Sequence, residues 1–144
     1  MPIVHAPWWC LDIPDEWRAE EEEGCIVIVD PDEVGELCIT VLRREQGEVD
    51  SHSLRELSAE LREQGHAPQP ASVAGLSGDY FSYRNAGESW REWFLAQDDM
   101  LVVISYCCDA ENETIDAAVV DEMLETFVLA DNSEAAETED PANR

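Results

Sequence analysis

Between Leu76 and Cys108 lie three strand-length runs, Leu76–Arg84 (LSGDYFSYR), Glu88–Ala96 (ESWREWFLA) and Met100–Cys108 (MLVVISYCC), joined only by Asn85-Ala-Gly87 and Gln97-Asp-Asp99. Connections this short cannot carry the chain back along a sheet to start a parallel strand, so each run must be antiparallel to the next. A three-stranded meander over 76–108 is the element around which the rest has to fit. Its last run is apolar on both parities at 101–104, and so is Cys25-Ile-Val-Ile-Val29 upstream. Strands of that kind call for cover on both faces of the sheet.

Upstream, residues 9–13 (WCLDI) form a short apolar run ended by Pro14, and Trp17 to Glu22 reads as an edge segment before Gly24. Asp30-Pro-Asp-Glu-Val-Gly35 carries turn chemistry, and Glu36 to Arg43 (ELCITVLR) resumes the β-branched pattern, so 25–43 is expected to be a hairpin with a longer loop. Gln46-Gly47-Glu48 breaks it. Ser53-Leu-Arg-Glu56 matches a capping box, and Leu54, Leu57 and Leu61 recur at helical spacing until Gly65. One amphipathic helix over 51–64 follows, with Pro68 and Pro70 marking its exit. Asn112 or Thr114 can cap a second helix whose stripe is Ile115, Ala118, Val119, Met123 and Phe127, widened by Val120, Leu124 and Val128. The expected fold class is α+β: an antiparallel β-sheet (hairpin, helix, three-stranded meander, helix) with helices packed on its faces.

At 144 residues the chain suits one domain, expected over 1–130, and 44% apolar residues with five Trp suffice for a real core. The segment 131–144 is acidic and aperiodic, and is expected to be a disordered tail. Thirty-four Asp and Glu face eight basic residues, all arginine, for a formal charge of −26. Five acids and one Arg leave −4 on the tail and −22 on the body, so the acidity belongs chiefly to the folded domain. Such a surface repels phosphate backbones and anionic lipid, which argues against nucleic acid and membrane as partners. Salt adaptation, a genome that favours arginine codons and a basic protein partner all remain open as origins of the charge.

The start MPIVHAPWWCL has no basic n-region and no sustained apolar run, so the chain is expected to be cytoplasmic. Cys10, Cys25, Cys38, Cys107 and Cys108 are odd in number and sit in apolar segments, which suits free thiols. Cys107 and Cys108 are followed by Asp109 and Glu111, whose charge disfavours a thiolate, so a nucleophilic role is not expected. His5 with Cys10, or Cys25 with Cys38, lacks zinc-ligand spacing, and Glu20-Glu-Glu-Glu23 and Asp30-Pro-Asp32 lack that of a calcium loop. No G-x-S-x-G, P-loop or G-x-G-x-x-G is present. No catalytic residue, metal or cofactor is expected.

Trp90-Arg-Glu-Trp-Phe94 is the most distinctive short string. Alternation puts Trp90 and Phe94 on one face and Arg91, Trp93 and Leu95 on the other. Both aromatics can pack under helices; exposed, Arg91 and Trp93 would be binding anchors. Trp8 and Trp9, beside Pro7 near a terminus, are the other candidates. The partner-binding set is thus Trp8, Trp9, Arg91 and Trp93.

The string Leu11-Asp-Ile-Pro-Asp-Glu-Trp17, the Cys25–Val29 and Leu37–Leu42 hairpin, the helix over 51–64 and Gly78-Asp-Tyr-Phe-Ser-Tyr83 leading into a meander and a final helix together resemble the PsbP-like superfamily over residues 9–130. That superfamily includes the PsbP subunit of photosystem II, a Ran-binding nuclear-transport protein and adaptor-chaperones for type VI secretion effectors. The resemblance implies an α/β/α sandwich and a binding or assembly role without chemistry. The expected function is a non-catalytic protein-interaction module, an adaptor, chaperone or assembly factor, for a protein with a basic surface. Two alternatives stay open: an immunity-type protein that neutralises a basic effector, and a small-ligand binder or enzyme with a pocket between the sheet and the helix over 51–64, lined by Trp93, Tyr80 or Tyr83.

Overall fold

The computed structural model describes residues 3–6, 9–22, 24–43 and 51–129. Trp8, the break at 46–48 and the segment 131–144 lie outside these residues. Among the described residues, ten strands and three α-helices follow in the order β1 (Ile3–Ala6), β2 (Trp9–Asp12), β3 (Arg18–Glu22), β4 (Cys25–Val29), β5 (Gly35–Arg43), α1 (Ser51–Leu57), α2 (Ala59–Glu63), β6 (Gln69–Val73), β7 (Leu76–Asn85), β8 (Glu88–Gln97), β9 (Met100–Asp109), α3 (Ala117–Glu125) and β10 (Val128–Leu129). Seven strands form one antiparallel sheet in the order β3-β4-β5-β9-β8-β7-β6, and β1-β2-β10 form a small second sheet.

The meander forms as expected, each strand one residue longer than the sequence suggests, with Tyr80 opposite Trp93 and Trp93 opposite Ile104. The turn Ala86-Gly87 within it and the turn Ala74-Gly75 that leads into it from β6 each hold both central residues at positive φ. That is the primed geometry whose twist matches the flanking strands, and glycine supplies the second position without strain. The 25–43 hairpin also forms, and β5 then pairs with β9 to join it to the meander. β6 was hidden by Pro70. As the outermost strand it can spare that proline's missing N–H.

Alternation divides the large sheet into two faces. On one, Ile28, Leu37, Ile39, Trp93, Leu95, Val102, Ile104 and Tyr106 pack against Trp9, Leu11 and Ile13 of the small sheet and against Val120, Met123, Leu124 and Phe127. α3 starts later than expected, at Ala117 after a 3-10 turn over Ala110–Asn112. Neither Asn112 nor Thr114 caps it, and Ile115 is 57% exposed. Met123 of the expected stripe is buried together with Val120 and Leu124, expected to widen it, and with Phe127 just beyond the helix, whereas Val128 is 53% exposed. Thr126 fastens this end of the chain to β2, accepting a bond from the Asp12 N–H at 2.9 Å and donating to the Met123 carbonyl at 2.7 Å.

On the opposite face, Leu54 packs on Phe81 and Phe94, whose rings meet edge-on at 5.8 Å, with Leu61 beside them. The helix starts at Ser51, ahead of the expected cap at Ser53, and is divided at Ser58 into α1 and α2. The Ser58 hydroxyl donates back to the Leu54 carbonyl at 3.1 Å and accepts from Arg62 Nε at 3.0 Å, a local bond that bends helices. Among the described side chains of this helix, the buried positions are Leu54 and Ser58, while Leu57 is 46% exposed. The layers are α1–α2, the seven-stranded sheet, and α3 with the small sheet. This is an α+β sandwich.

Among the described residues, cover on the helical face is incomplete, which corrects the expectation that Cys25–Val29 is buried on both sides. α1 packs on β7 and β8, at the other end of the sheet from β4. Ile28 is fully buried in the core on the α3 side, whereas Cys25, Val27, Val29 and Cys38 are only half-buried and Leu42 is exposed.

Candidate functional site

Two surfaces gather the chemically distinctive side chains. The first centres on Arg91. Its place in β8 points it to the α3 side, beside Tyr80 and Trp93, whose ring centroids lie 5.0 Å apart. The guanidinium sits 4.8 Å from the Trp93 ring and 5.5 Å from that of Tyr80, donates from Nε to the Tyr80 hydroxyl at 2.8 Å and from Nη2 to Asp121 at 2.6 Å. Burial opposes the charge, but the bonds to Asp121 and Tyr80 outweigh it and hold the guanidinium pKa above its ordinary value. Two bonds and two aromatic contacts make Arg91 a clamp between β8 and α3. Only its Nη1 is buried without a partner.

Beside the clamp, a hollow of about 530 Å³ is lined by Ser72, Val73, Ala74, Trp93, Asp121, Leu124 and Glu125. The ligand pocket expected between the sheet and the helix over 51–64 is not where those aromatics lie. Trp93 and Tyr80 face α3 on the other side of the sheet, and the space beneath α1 is occupied by Leu54, Phe81 and Phe94. Tyr83 is on the helical face, stacked against His66 at 4.4 Å and hydrogen-bonded to Glu92. Burial first, and that bond second, push its hydroxyl pKa up.

Of the four candidate binding residues, the structure brings only Arg91 and Trp93 together. Trp9 is 3% exposed, its ring centroid 5.5 Å from that of Phe127, so it is a core residue joining the two sheets. Trp93 is likewise buried. Trp8 lies outside the described residues.

The second surface is the half-covered sheet face at its β3–β4–β5 end. Cys25, Val27 and Val29 of β4 share it with Cys38 of β5, and register places Glu20 and Glu22 of β3 beside Val27 and Cys25. Cys107 of β9 lies opposite Glu36. Cys38 Sγ is 3.1 Å from Cys25 Sγ. Burial, the bond to Cys25 and the nearby Glu22 and Glu36 push the Cys38 thiol up to about 12. Burial and the charges of Glu88 and Glu36 push Cys107 up to about 11. Cys10 and Cys108 are raised as well, first by burial. Raised pKa values are the opposite of what an activated thiol needs. No group of three or more His, Cys, Asp or Glu suited to a metal ion occurs among the described residues.

Sequence reasoning missed a buried pair of carboxyl groups. Asp30 and Asp116 are both buried, one leaving β4 and the other preceding α3. Asp30 accepts from the Val34 N–H at 2.7 Å, and Asp116 accepts from the Tyr106 hydroxyl at 3.0 Å. Burial, then the bond to Asp30, raise the Asp116 carboxyl to about 6 against the opposing effect of Tyr106. Asp30-Pro31 was visible only as turn chemistry.

No family model and no curated protein matches the chain by sequence. Solved structures do match by fold. A Bacteroides thetaiotaomicron protein superposes with a TM-score of 0.66 at 13% identity, over 88% of this chain and 46% of its own length. LpqN of Mycobacterium tuberculosis, involved in cell envelope biogenesis, matches at 0.61 and 16% identity, covering 85% of this chain and 83% of LpqN. The cyanobacterial PsbP of Synechocystis matches at 0.57 and 10%, covering 84% and 86%. The chain has the PsbP-like fold.

Proposed function

We propose that this protein is a non-catalytic interaction module whose partner is a protein with a basic surface, received on the sheet face at the β3–β4–β5 end. The observation that carries the reading is the unequal cover of the sheet. Among the described residues, α1 packs on β7 and β8, while Cys25, Val27, Val29 and Cys38 are only partly buried, with Glu20, Glu22 and Glu36 on the same face. An apolar patch flanked by Glu20, Glu22 and Glu36, where Arg18 opposite Val29 is already paired with Glu33, suits a partner that is apolar at its centre and basic at its rim. The acids would speed encounter and reject acidic competitors more than they would tighten the complex. The raised thiol pKa values favour binding over catalysis. Neutralisation of a basic effector is a narrower form of the same reading and would use the same face.

An arginine-rich amphipathic peptide titrated into isotope-labelled protein at ~0.15 M salt, where the Debye length is about 8 Å, tests this reading. Amide shifts confined to β3, β4 and β5, and lost in the combined Glu20→Lys, Glu22→Lys, Glu36→Lys variant, are expected. Shifts spread evenly over the acidic surface would overturn it.

A further inference from the structure

Cys25 and Cys38 come from adjacent antiparallel strands, and their sulfurs stand 3.1 Å apart although they are not directly opposed. Val27 is the residue facing Cys38, so the two cysteines are diagonal neighbours. Diagonal positions are usually about 7–8 Å apart at Cα, beyond the roughly 7 Å that a disulfide spans without backbone movement, yet here the side chains have already closed most of the gap to a bonded S–S distance of about 2.05 Å. The remaining movement falls at the first residue of β4. Just before it, Gly24 has φ +82 and nothing within 4 Å of where a Cβ would stand, so the chain there has room to turn. Cys107 and Cys108 are sequence neighbours in one strand and point to opposite faces, whereas Cys25 and Cys38 already have their sulfurs in contact.

We propose that Cys25 and Cys38 are a reversible oxidation site, a dithiol that closes to an intramolecular disulfide by exchange with a low-molecular-weight disulfide such as oxidised glutathione. The roles of the two sulfurs differ. Cys38 donates its S–H to Cys25, and Glu22 and Glu36 help keep it protonated. Cys25, accepting that bond, is the attacking thiol. Its thiolate, having given its proton to solvent, attacks one sulfur of the small disulfide. A Cys25 mixed disulfide forms, and the other half leaves as a thiolate that takes up a proton. Cys38 then loses its proton, attacks Cys25 Sγ and displaces the second small thiol. Two protein thiols are oxidised and one small disulfide is reduced to two thiols. The chemistry is independent of whether the face receives a partner. Closing the bond would draw β4 and β5 together within that face.

Arg18 and Arg43 are consecutive basic residues, so cleavage after arginine releases residues 19–43 as one peptide carrying both cysteines. The native full-length chain is equilibrated with oxidised glutathione, its remaining thiols are alkylated, and this peptide is weighed. The expected result is a peptide lighter by two hydrogens, without alkyl groups, that regains both thiols under dithiothreitol. In Cys38→Ser, Cys25 should accumulate the mixed disulfide; in Cys25→Ser, Cys38 should form it about tenfold more slowly. Two alkylated thiols after prolonged oxidation of the native protein, or linkage of either cysteine to Cys10, Cys107 or Cys108, would overturn the site. Equal trapping rates in the two variants would overturn the assigned roles.

Discussion

The Tyr106 hydroxyl donates to the Asp116 carboxylate at 3.0 Å, fastening the end of β9 to the residue that precedes α3. Asp116 also bonds Asp30, so two buried carboxyl groups share one small polar site at the edge of the core. Two carboxylates in such a place resist being charged together.

The first prediction follows from that pair. Asp116 is raised to about 6 from its ordinary value of 3.8, so its contribution to stability is complete below the unfolded pKa and is lost as pH rises through about 6. Melting temperature should fall between pH 5 and pH 7. Asp116→Asn keeps a side chain able to accept from Tyr106 and cannot ionise, so it should flatten this part of the profile, gaining on the order of 1–2 kcal/mol over wild type at pH 7 relative to pH 5. Thermal melts of both proteins across that range check it.

Close backbone approach should make two glycines intolerant of a side chain. A Cβ at Gly78 would overlap the Phe94 carbonyl oxygen of the neighbouring strand, and one at Gly35 would overlap the Tyr106 hydroxyl and the Cys107 carbonyl. Gly78→Ala meets backbone that cannot swing away and should cost at least about 2 kcal/mol. Gly35→Ala should also destabilise and, by displacing Tyr106, weaken its bond to Asp116. Chemical denaturation measures both.

The bend at Ser58 sets which leucines matter. Leu54→Ala should cost roughly 2–5 kcal/mol because it empties the space above Phe81 and Phe94, whereas Leu57→Ala on the exposed side should stay within about 1 kcal/mol. Equal costs, read from urea unfolding, would contradict the orientation of α1.

Like charge should weaken the fold at low ionic strength. The formal charge is −26, and Glu20, Glu21 and Glu22 are consecutive, exposed residues on the outermost strand. Melting temperature should rise with NaCl as the Debye length shortens to about 10 Å at 0.1 M. Replacing the three by Gln should raise it most at low salt. The same residues guard a free sheet edge, so the variant should self-associate more readily by light scattering.

What could be read along the chain was what depends on near neighbours. The meander, the 25–43 hairpin and the existence of both helical regions follow from alternation, turn residues and spacing, each a matter of a few consecutive positions. The small sheet was out of reach. β10 has two residues, and it is a strand only because Val128 and Leu129 meet Cys10 and Trp9 at the other end of the chain. The same holds for the candidate sites. Alternation placed Arg91 and Trp93 on one face of β8 but could not say which face α3 would cover, and that choice set them against α3 with Trp93 buried and Arg91 partly so. Cys25 and Cys38 meet through the register of two strands, and Asp30 meets Asp116 across 86 positions of sequence. Local pattern decides which segments can be strands or helices; burial and pairing between distant segments are settled only when the layers close over one another, because the free energy of covering a face belongs to both surfaces at once.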